Sequence, residues 1–187
     1  HCDMVRMMGY GEQFQDFKIN VHIGGSLGPD GIKSVLKKLS KTARNVLTIE
    51  NDEFKWGLES SLELVDYCAL VLDIHHHWIR TGEYIQPSDV RVQRVMDSWR
   101  GIRPVIHYSV SRENAVYHLW PHDVLPDLNI LTNDMSLTKT NLRAHSDYYW
   151  NSSCNNWAYS FSEDFDIMLE SKTKNLAHNK FCVEVGH

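Results

Sequence analysis

The stretch ALVLDIHHH, residues 69–77, decides the fold of this chain. Its first six residues form a nearly continuous apolar run, which is typical of a strand that is buried on both faces of a parallel sheet. Further strands are predicted at 17–23, 45–50, 104–109 and 165–170. Helical patterns are predicted between and after them at 30–43, 55–67, 87–99 and 176–185. This alternation predicts an α/β fold that is built from parallel βα units.

The length of 187 residues predicts a single domain over residues 1–187. Five βα units are too few to close an eight-stranded barrel, so the pattern indicates either an open doubly wound sheet or the later units of a (β/α)8 TIM barrel. Residues 110–143 show no clean periodicity, and we interpret them as an irregular insertion that holds short helices. Because the chain begins with His1 rather than Met, we expect it to be part of a longer protein.

Composition excludes several classes of protein. An apolar fraction of 42% and six Trp exclude a disordered chain. A net charge of −5 argues against a nonspecific nucleic-acid coat, although it allows a metal-dependent enzyme that acts on nucleic acid. No apolar stretch approaches the length of a membrane span, so we expect no contact with a membrane.

The compartment and the nucleotide cofactors are constrained by two further patterns. The four Cys are scattered, at 2, 68, 154 and 182, and no signal-peptide pattern precedes them, which favours the cytoplasm. The glycines at 24, 25 and 28 lack the spacing of a dinucleotide-binding loop, so we expect no nucleotide cofactor.

Every predicted strand ends in a histidine or a carboxylate: His22, Glu50, Asp73, His107 and Glu170. The carboxyl ends of parallel strands open at one mouth, where the active sites of such folds lie. Carboxylates crowded there repel one another unless they are protonated or bind metal. Imidazole and carboxylate ligands without thiolate suit Mn, Zn, Fe or Co, and more than four ligands indicate two or three ions. Such clusters suit hydrolysis of a phosphate ester, with Glu50 as a candidate bridging ligand.

Spacing leaves other candidates open. Residues His75, His76 and His77 cannot all face the mouth, and either His75 or His76 fits it. His145 fits an exposed loop position and a position over the mouth about equally well. We expect His118 and His122 at the surface.

Tyr148 could stack on bases and Lys172 could reach a phosphate, although a packed aromatic rim and a surface lysine are the simpler interpretations.

The strand ends resemble those of the UV-damage endonucleases, which are relatives of endonuclease IV in the xylose-isomerase-like barrel superfamily. Six motifs carry the resemblance, in the same order over residues 17–172: NVHIGG at 20–25, LTIEND at 47–52, LDIHH at 72–76, IHYS at 106–109, AHSDY at 144–148 and DIMLESK at 166–172. The resemblance implies the C-terminal part of a TIM barrel, acting on damaged double-stranded DNA in the cytoplasm and associated with the nucleoid in a bacterium.

The implied activity is hydrolysis of the phosphodiester 5′ to a lesion such as a pyrimidine photodimer, by water activated at a three-metal cluster. The cluster is most often manganese, with Zn²⁺, Co²⁺ or Mg²⁺ as alternatives. By match, the first ion is held by His22 and Glu50, and the third by His76 and His145. The second ion is held by Glu50, Asp73, His107 and Glu170, of which Glu50, His107 and Glu170 are the implied catalytic residues. Tyr148 and Lys172 are candidate DNA contacts.

The sequence departs from the family pattern at two places. The early strands, which carry a further His ligand and the lesion-probing residues, have no counterpart here, so we expect little activity from residues 1–187 alone. Val105 stands where some members have a carboxylated lysine, which predicts a weaker or missing third ion. Two alternatives therefore stay open: a metal-dependent sugar isomerase or epimerase of the same superfamily, and an inactive barrel fragment whose open strand edges a second chain covers.

Overall fold

The computed structural model describes residues 1–14, 17–116 and 118–186. The chain divides into two compact units. Unit 1 comprises His1–Asp73 and Ser88–Val105, and unit 2 comprises Ile74–Pro87 and Ile106–His187. Tyr117, which falls in the predicted insertion 110–143, lies outside the described residues. The single domain 1–187 and the partial barrel stay predictions.

Unit 1 is a parallel sheet with helices between its strands. The strands β1 (Ile19–His22), β2 (Leu47–Glu50) and β3 (Ala69–Asp73) follow one another in chain order. Ile19 lies opposite Leu47, and Thr48 lies opposite Ala69. The helices of unit 1 are α1 (Cys2–Met7), α2 (Gly28–Leu36), α3 (Lys41–Asn45), α4 (Leu58–Leu62) and α6 (Val90–Ser98). Because the strands pair in parallel, their ends His22, Glu50 and Asp73 lie at the same edge of this sheet.

Strand β3 lies at the centre of the core of unit 1, and all five of its residues are buried, as the apolar run predicts. Ala69 and Val71 pack against Trp99. The indole N–H of Trp99 donates to the Leu70 carbonyl at 2.6 Å, and the Leu70 N–H donates to Ser98 Oγ at 3.0 Å. These bonds satisfy polar groups that burial would otherwise penalise, and they fix α6 against β3.

The helix predicted over 30–43 is wrong as a continuous element. Helix α2 ends at Leu36, and α3 begins after Ser40, whose hydroxyl accepts the Ala43 N–H at 3.2 Å. This N-cap starts a new helix, because a capping serine offers the backbone an alternative to continuing the previous one. Val35, an apolar residue within the predicted helix, is 55% exposed.

Unit 2 contains the strands β4 (Val105–Tyr108, of which Val105 belongs to unit 1) and β5 (Asp166–Leu169), which are neighbours. The Glu170 N–H donates to the Tyr108 carbonyl at 2.9 Å, so the two strands end side by side. The helices are α5 (Ile74–Thr81), α7 (Glu113–Val116), α8 (Lys139–Leu142), α9 (Ser152–Tyr159) and α10 (Asn175–Val185), with a π-helical turn at Ile130–Asp134. The short helices expected in residues 110–143 are present as α7, the π-helical turn and α8.

The sequence pattern did not reveal α5 and α9. Helix α5 follows β3 without a turn, so the sequence pattern does not separate its histidines from the end of the strand. Helix α9 has few apolar residues, and it is started by Asn151, whose side chain accepts the Cys154 N–H at 2.8 Å. The chain is an α/β protein, and among the described residues no helix is long and apolar enough to cross a membrane.

Candidate functional site

In unit 1, Glu50 lies close to the ends of the two neighbouring strands. It ends β2 and is 1% exposed. His22 lies opposite it in register, with its Nε2 3.6 Å from Glu50 Oε2. The Asn20 amide donates to the same oxygen. Ligand atoms of Glu50 and Asp73 lie within 4.8 Å of each other. An imidazole and two carboxylates thus meet at the carboxyl ends of three consecutive strands.

These groups fit a cation. Glu50 and Asp73 are both buried, and two ionised carboxylates at such a distance repel each other strongly in a poorly solvated place. A divalent ion would convert this repulsion into attraction, and oxygen and imidazole nitrogen are ligands that Mn²⁺ and Zn²⁺ accept. The His22 side chain is 58% exposed, so the set is accessible from solvent.

The backbone that carries Asp73 is fixed by Asn51. The Asn51 amide donates to the Asp73 carbonyl and accepts from the Asp73 N–H, both at 2.9 Å. One residue later, Asp52 Oδ2 accepts from the N–H groups of Phe54 and Lys55. Burial raises the pKa of Asp52, but the backbone hydrogen bonds outweigh it and leave the pKa lowered. The segment that follows β2 is therefore held by its own polar side chains.

In unit 2, Glu170 has a histidine beside each carboxylate oxygen. His107 Nδ1 lies 3.2 Å from Glu170 Oε1, and His145 Nε2 lies 3.9 Å from Oε2. His107 belongs to β4, Glu170 directly follows β5, and His145 lies in the segment that follows α8. Unit 2 thus brings three predicted metal ligands together, including His145, for which the spacing had left two interpretations open.

The position of His145 results from backbone pairing. Ser111 and His145 form an isolated antiparallel bridge. The Ser146 N–H donates to the Val110 carbonyl, and the Ser146 carbonyl accepts from the Lys172 N–H, both at 3.1 Å. Segment 144–148 is therefore held between the residues that follow β4 and those that follow β5.

The three consecutive histidines form the first turn of α5, and all three are buried. His75 Nδ1 shares a hydrogen bond with Ser109 Oγ at 2.7 Å, and its Nε2 shares one with Ser111 Oγ at 3.2 Å. Burial, and then the nearby His76 and His145, lower the pKa of His75. His77 Nε2 contacts Glu83 Oε2 at 3.0 Å. These contacts give His75 and His77 structural roles, and His76 stays the predicted ligand.

The candidate DNA contacts lie together in unit 2. Tyr148 is half-buried and Lys172 is exposed, and both line one cleft. The next two aromatic residues pack into the protein: Tyr149 is buried, and Trp150 donates to the Ser111 carbonyl at 2.8 Å. Tyr149 and Trp150 are therefore packed aromatic residues, and the interpretation of Tyr148 stays a prediction. The predicted surface positions of His118 and His122 are also confirmed.

The sequence did not indicate which polar residues fix the ligand-bearing segments and the buried His75. Asn51 bonds to the backbone of Asp73, and Glu113 accepts from the N–H groups of Asp147 and Tyr148. The Ser109 and Ser111 hydroxyls contact His75, which is 34 and 36 residues away in sequence. No spacing signal reveals such bonds. For Asn51, its place directly after a strand that ends in Glu50 was the one available indication.

Comparisons with known proteins found a matching family model and distant relatives. The family model described as UV-endonuclease UvdE matches residues 1–186. A UV DNA damage endonuclease of Bacillus cereus (strain G9842) is 26% identical over 168 residues, which cover 85% of this chain and 45% of the relative. A UV-damage endonuclease of Neurospora crassa is 30% identical over 122 residues, which cover 56% of this chain and 18% of the relative. The chain thus spans less than half the length of these relatives.

A solved structure shares the fold. The crystal structure of SacUVDE matches 100% of this chain and 56% of its own, with a TM-score of 0.66 at 22% identity. The resemblance in the six sequence motifs is confirmed by the family match. The chain belongs to the UV-endonuclease UvdE family.

Proposed function

We propose that the protein is a metal-dependent DNA-repair endonuclease that hydrolyses the phosphodiester 5′ to UV lesions, such as pyrimidine photodimers, in double-stranded DNA. Membership of the UvdE family supports this activity, and so do the names of the relatives. The same membership favours an endonuclease over the sugar isomerase or epimerase. On this proposal the protein acts on the nucleoid in a bacterium.

The observation that carries the proposal is that each unit places a buried or half-buried glutamate beside other predicted ligands. Glu50 lies near His22 and Asp73 in unit 1, and Glu170 lies near His107 and His145 in unit 2. We propose seven metal ligands in total: His22, Glu50, Asp73, His76, His107, His145 and Glu170. Their donor set is imidazole and carboxylate, which suits Mn²⁺ first and Zn²⁺, Co²⁺ or Mg²⁺ as alternatives. Up to three ions fit seven ligands, and Val105 supplies no carboxylated-lysine ligand to the third.

Divalent ions, when bound, supply Lewis acidity that activates water and stabilises negative charge on a phosphodiester. The contribution of the chain is to fix the ligands. Glu50, His107 and Glu170 are the proposed catalytic residues because they would hold the ions against the scissile phosphate. Asn51 fixes the backbone of Asp73, so this ligand loses little freedom when an ion binds. Tyr148 and Lys172 are proposed to contact the DNA.

Assays of nicking and of metal content test the proposal. Purified protein is treated with EDTA, reloaded with Mn²⁺, and mixed with UV-irradiated or unirradiated supercoiled plasmid. We expect slow nicking that requires Mn²⁺, is faster on irradiated plasmid and is lost in Glu50→Gln. The matched control Glu59→Gln removes an exposed carboxylate and should retain the rate.

Equal nicking with and without Mn²⁺ would contradict metal dependence. A single bound ion per chain, without nicking, would favour the isomerase. Failure to bind any divalent ion would favour the inactive fragment, whose open β1 edge a second chain would cover.

A further inference from the structure

Unit 2 contains a cleft of about 580 Å³ beside its metal-ligand set, which we call the Arg112 cleft. Six residues line it: Arg112, Glu113, Asn114, Asp147, Tyr148 and Lys172. Tyr148 lies three residues after His145, and Lys172 lies two residues after Glu170. The Lys172 N–H donates to the Ser146 carbonyl at 3.1 Å, so the backbones that carry these two residues run side by side.

Arg112 has unused donor capacity. Its Nε is shielded from solvent and has no acceptor among the residues that the structure describes. Because this N–H is closed to solvent, an anion in the cleft would be attracted by the positive charge of the guanidinium of Arg112, which lines the cleft, rather than by Nε itself. The planar guanidinium presents several N–H groups in a fork that matches two oxygens of a phosphate.

The acid next to Arg112 is directed elsewhere. Glu113 Oε2 accepts from the Asp147 N–H at 2.9 Å, and Glu113 Oε1 accepts from the Tyr148 N–H at 2.7 Å. Both carboxylate oxygens are thus engaged by the backbone, and Glu113 also fixes the segment that carries Tyr148. The remaining acid of the lining is the exposed Asp147.

A second cation lies near the aromatic part of the cleft. Lys180 Nζ is 5.4 Å from the centre of the Tyr148 ring, and Lys172 is exposed at the cleft itself. Two lysines and Arg112 around one half-buried tyrosine are typical of a surface that follows a nucleic-acid backbone.

We infer that the Arg112 cleft binds a backbone phosphate of the DNA away from the bond that is cut, with Arg112 and Lys172 as its ligands. This inference rests on the proposed function, because it assigns the ligand as DNA. The contact positions the strand and carries no sequence information, since phosphates are the same at every nucleotide. It therefore acts alike on damaged and undamaged duplex.

Binding measured without metal tests the inference. The anisotropy of a short fluorescent duplex, irradiated or not, is titrated with protein in EDTA over a series of KCl concentrations. We expect Arg112→Gln to weaken binding about 10-fold on both duplexes, and to lower the salt slope by about one. Arg112→Lys, which keeps the charge but not the fork, should recover part of the affinity.

Two further variants complete the test. Lys172→Gln replaces an exposed side chain, so it is expected to fold and to weaken binding in the same direction. Lys38→Gln removes an exposed lysine just after α2 and should change the dissociation constant less than about 2-fold, because it merely alters net charge.

The inference is overturned if Arg112→Gln and Lys172→Gln bind like the unmodified protein, if Lys38→Gln loses as much affinity as they do, or if the protein binds no duplex at low salt. Nicking with Mn²⁺ separates the two proposals. If Arg112→Gln does not affect nicking, the endonuclease proposal holds and the phosphate subsite is rejected. If DNA binding depends on Arg112 but no metal-dependent nicking occurs, the subsite holds and the endonuclease proposal is rejected.

Discussion

The two units build their ligand sets in different ways. Unit 1 takes His22, Glu50 and Asp73 from the ends of three consecutive parallel strands. Unit 2 takes His107 from a strand and Glu170 from the residue after a strand, but His145 from a segment outside the sheet. The first set follows from strand register, with Asn51 fixing the backbone of Asp73. The second also depends on hydrogen bonds that hold segment 144–148, so it should be the more sensitive to changes away from the ligands.

Each unit fixes its ligand-bearing backbone with one polar side chain. In unit 1, Asn51 bonds to both the N–H and the carbonyl of Asp73. In unit 2, Glu113 bonds to the N–H groups of Asp147 and Tyr148, just after His145. Asn51 is fully buried and Glu113 is half-buried. Loss of Asn51 should therefore lower the free energy of unfolding more, and loss of Glu113 should disturb the conformation of segment 144–148 more.

The largest expected effect is on activity. Glu50→Gln and Glu170→Gln each remove a carboxylate that is a proposed metal ligand. We expect each to lower Mn²⁺-dependent nicking of irradiated plasmid more than about 100-fold, because loss of a ligand costs more activity than loss of a residue that orients a ligand. Glu163→Gln, at an exposed glutamate, should leave the rate unchanged. A variant at Glu50 or Glu170 that retains the full rate would remove that unit from the proposed site.

The next effect is on the stability of unit 2. His75→Ala leaves the buried hydroxyls of Ser109 and Ser111 without their partner and removes the ring that stacks on Trp78. We expect a loss of about 2–4 kcal/mol in the free energy of unfolding, from the cavity and the unsatisfied groups together. Urea denaturation measures it, with the exposed His118→Ala as a control that should change by less than about 0.5 kcal/mol. Equal effects would show that His75 has no structural role.

A smaller effect compares the two fixing residues directly. Asn51→Ala leaves the buried Asp73 N–H without an acceptor, and we expect a loss of about 1–3 kcal/mol in urea denaturation. Glu113→Gln keeps one acceptor oxygen, so it should destabilise the protein less while weakening Mn²⁺ binding about 10-fold through His145. The comparison fails if Glu113→Gln lowers stability as much as Asn51→Ala and leaves Mn²⁺ affinity unchanged.

The smallest effect concerns the cysteines, which report how well each unit excludes solvent. Burial raises the pKa of Cys68 in unit 1 and of Cys154 in unit 2 to about 12. At pH 8 both thiols stay protonated and shielded, so iodoacetamide should modify the half-buried Cys2 and Cys182 first. Peptide mass spectrometry of the native protein checks this order. Early labelling of Cys154 alone would show that unit 2 opens more readily than unit 1.

Much of this architecture could be predicted because it follows from periodicity. The apolar run of β3 and the order of the strands are local features, so the ligands at strand ends in unit 1 followed from them. The contacts of His145 could not be predicted, since they depend on a bridge to Ser111 across the irregular segment. The break between α2 and α3 was missed because a single N-cap, Ser40, starts a new helix inside the helical pattern predicted at 30–43. Side-chain bonds to distant backbone, such as those of Asn51 and Glu113, leave no periodic trace.

The number of Mn²⁺ ions bound per chain, measured by mass spectrometry of the metal in dialysed protein, tests the central claim most directly. We expect at least two ions in the unmodified protein and fewer in both Glu50→Gln and Glu170→Gln, because each glutamate belongs to one ligand set. One ion or none, or a number that neither substitution changes, would contradict the proposed metal site.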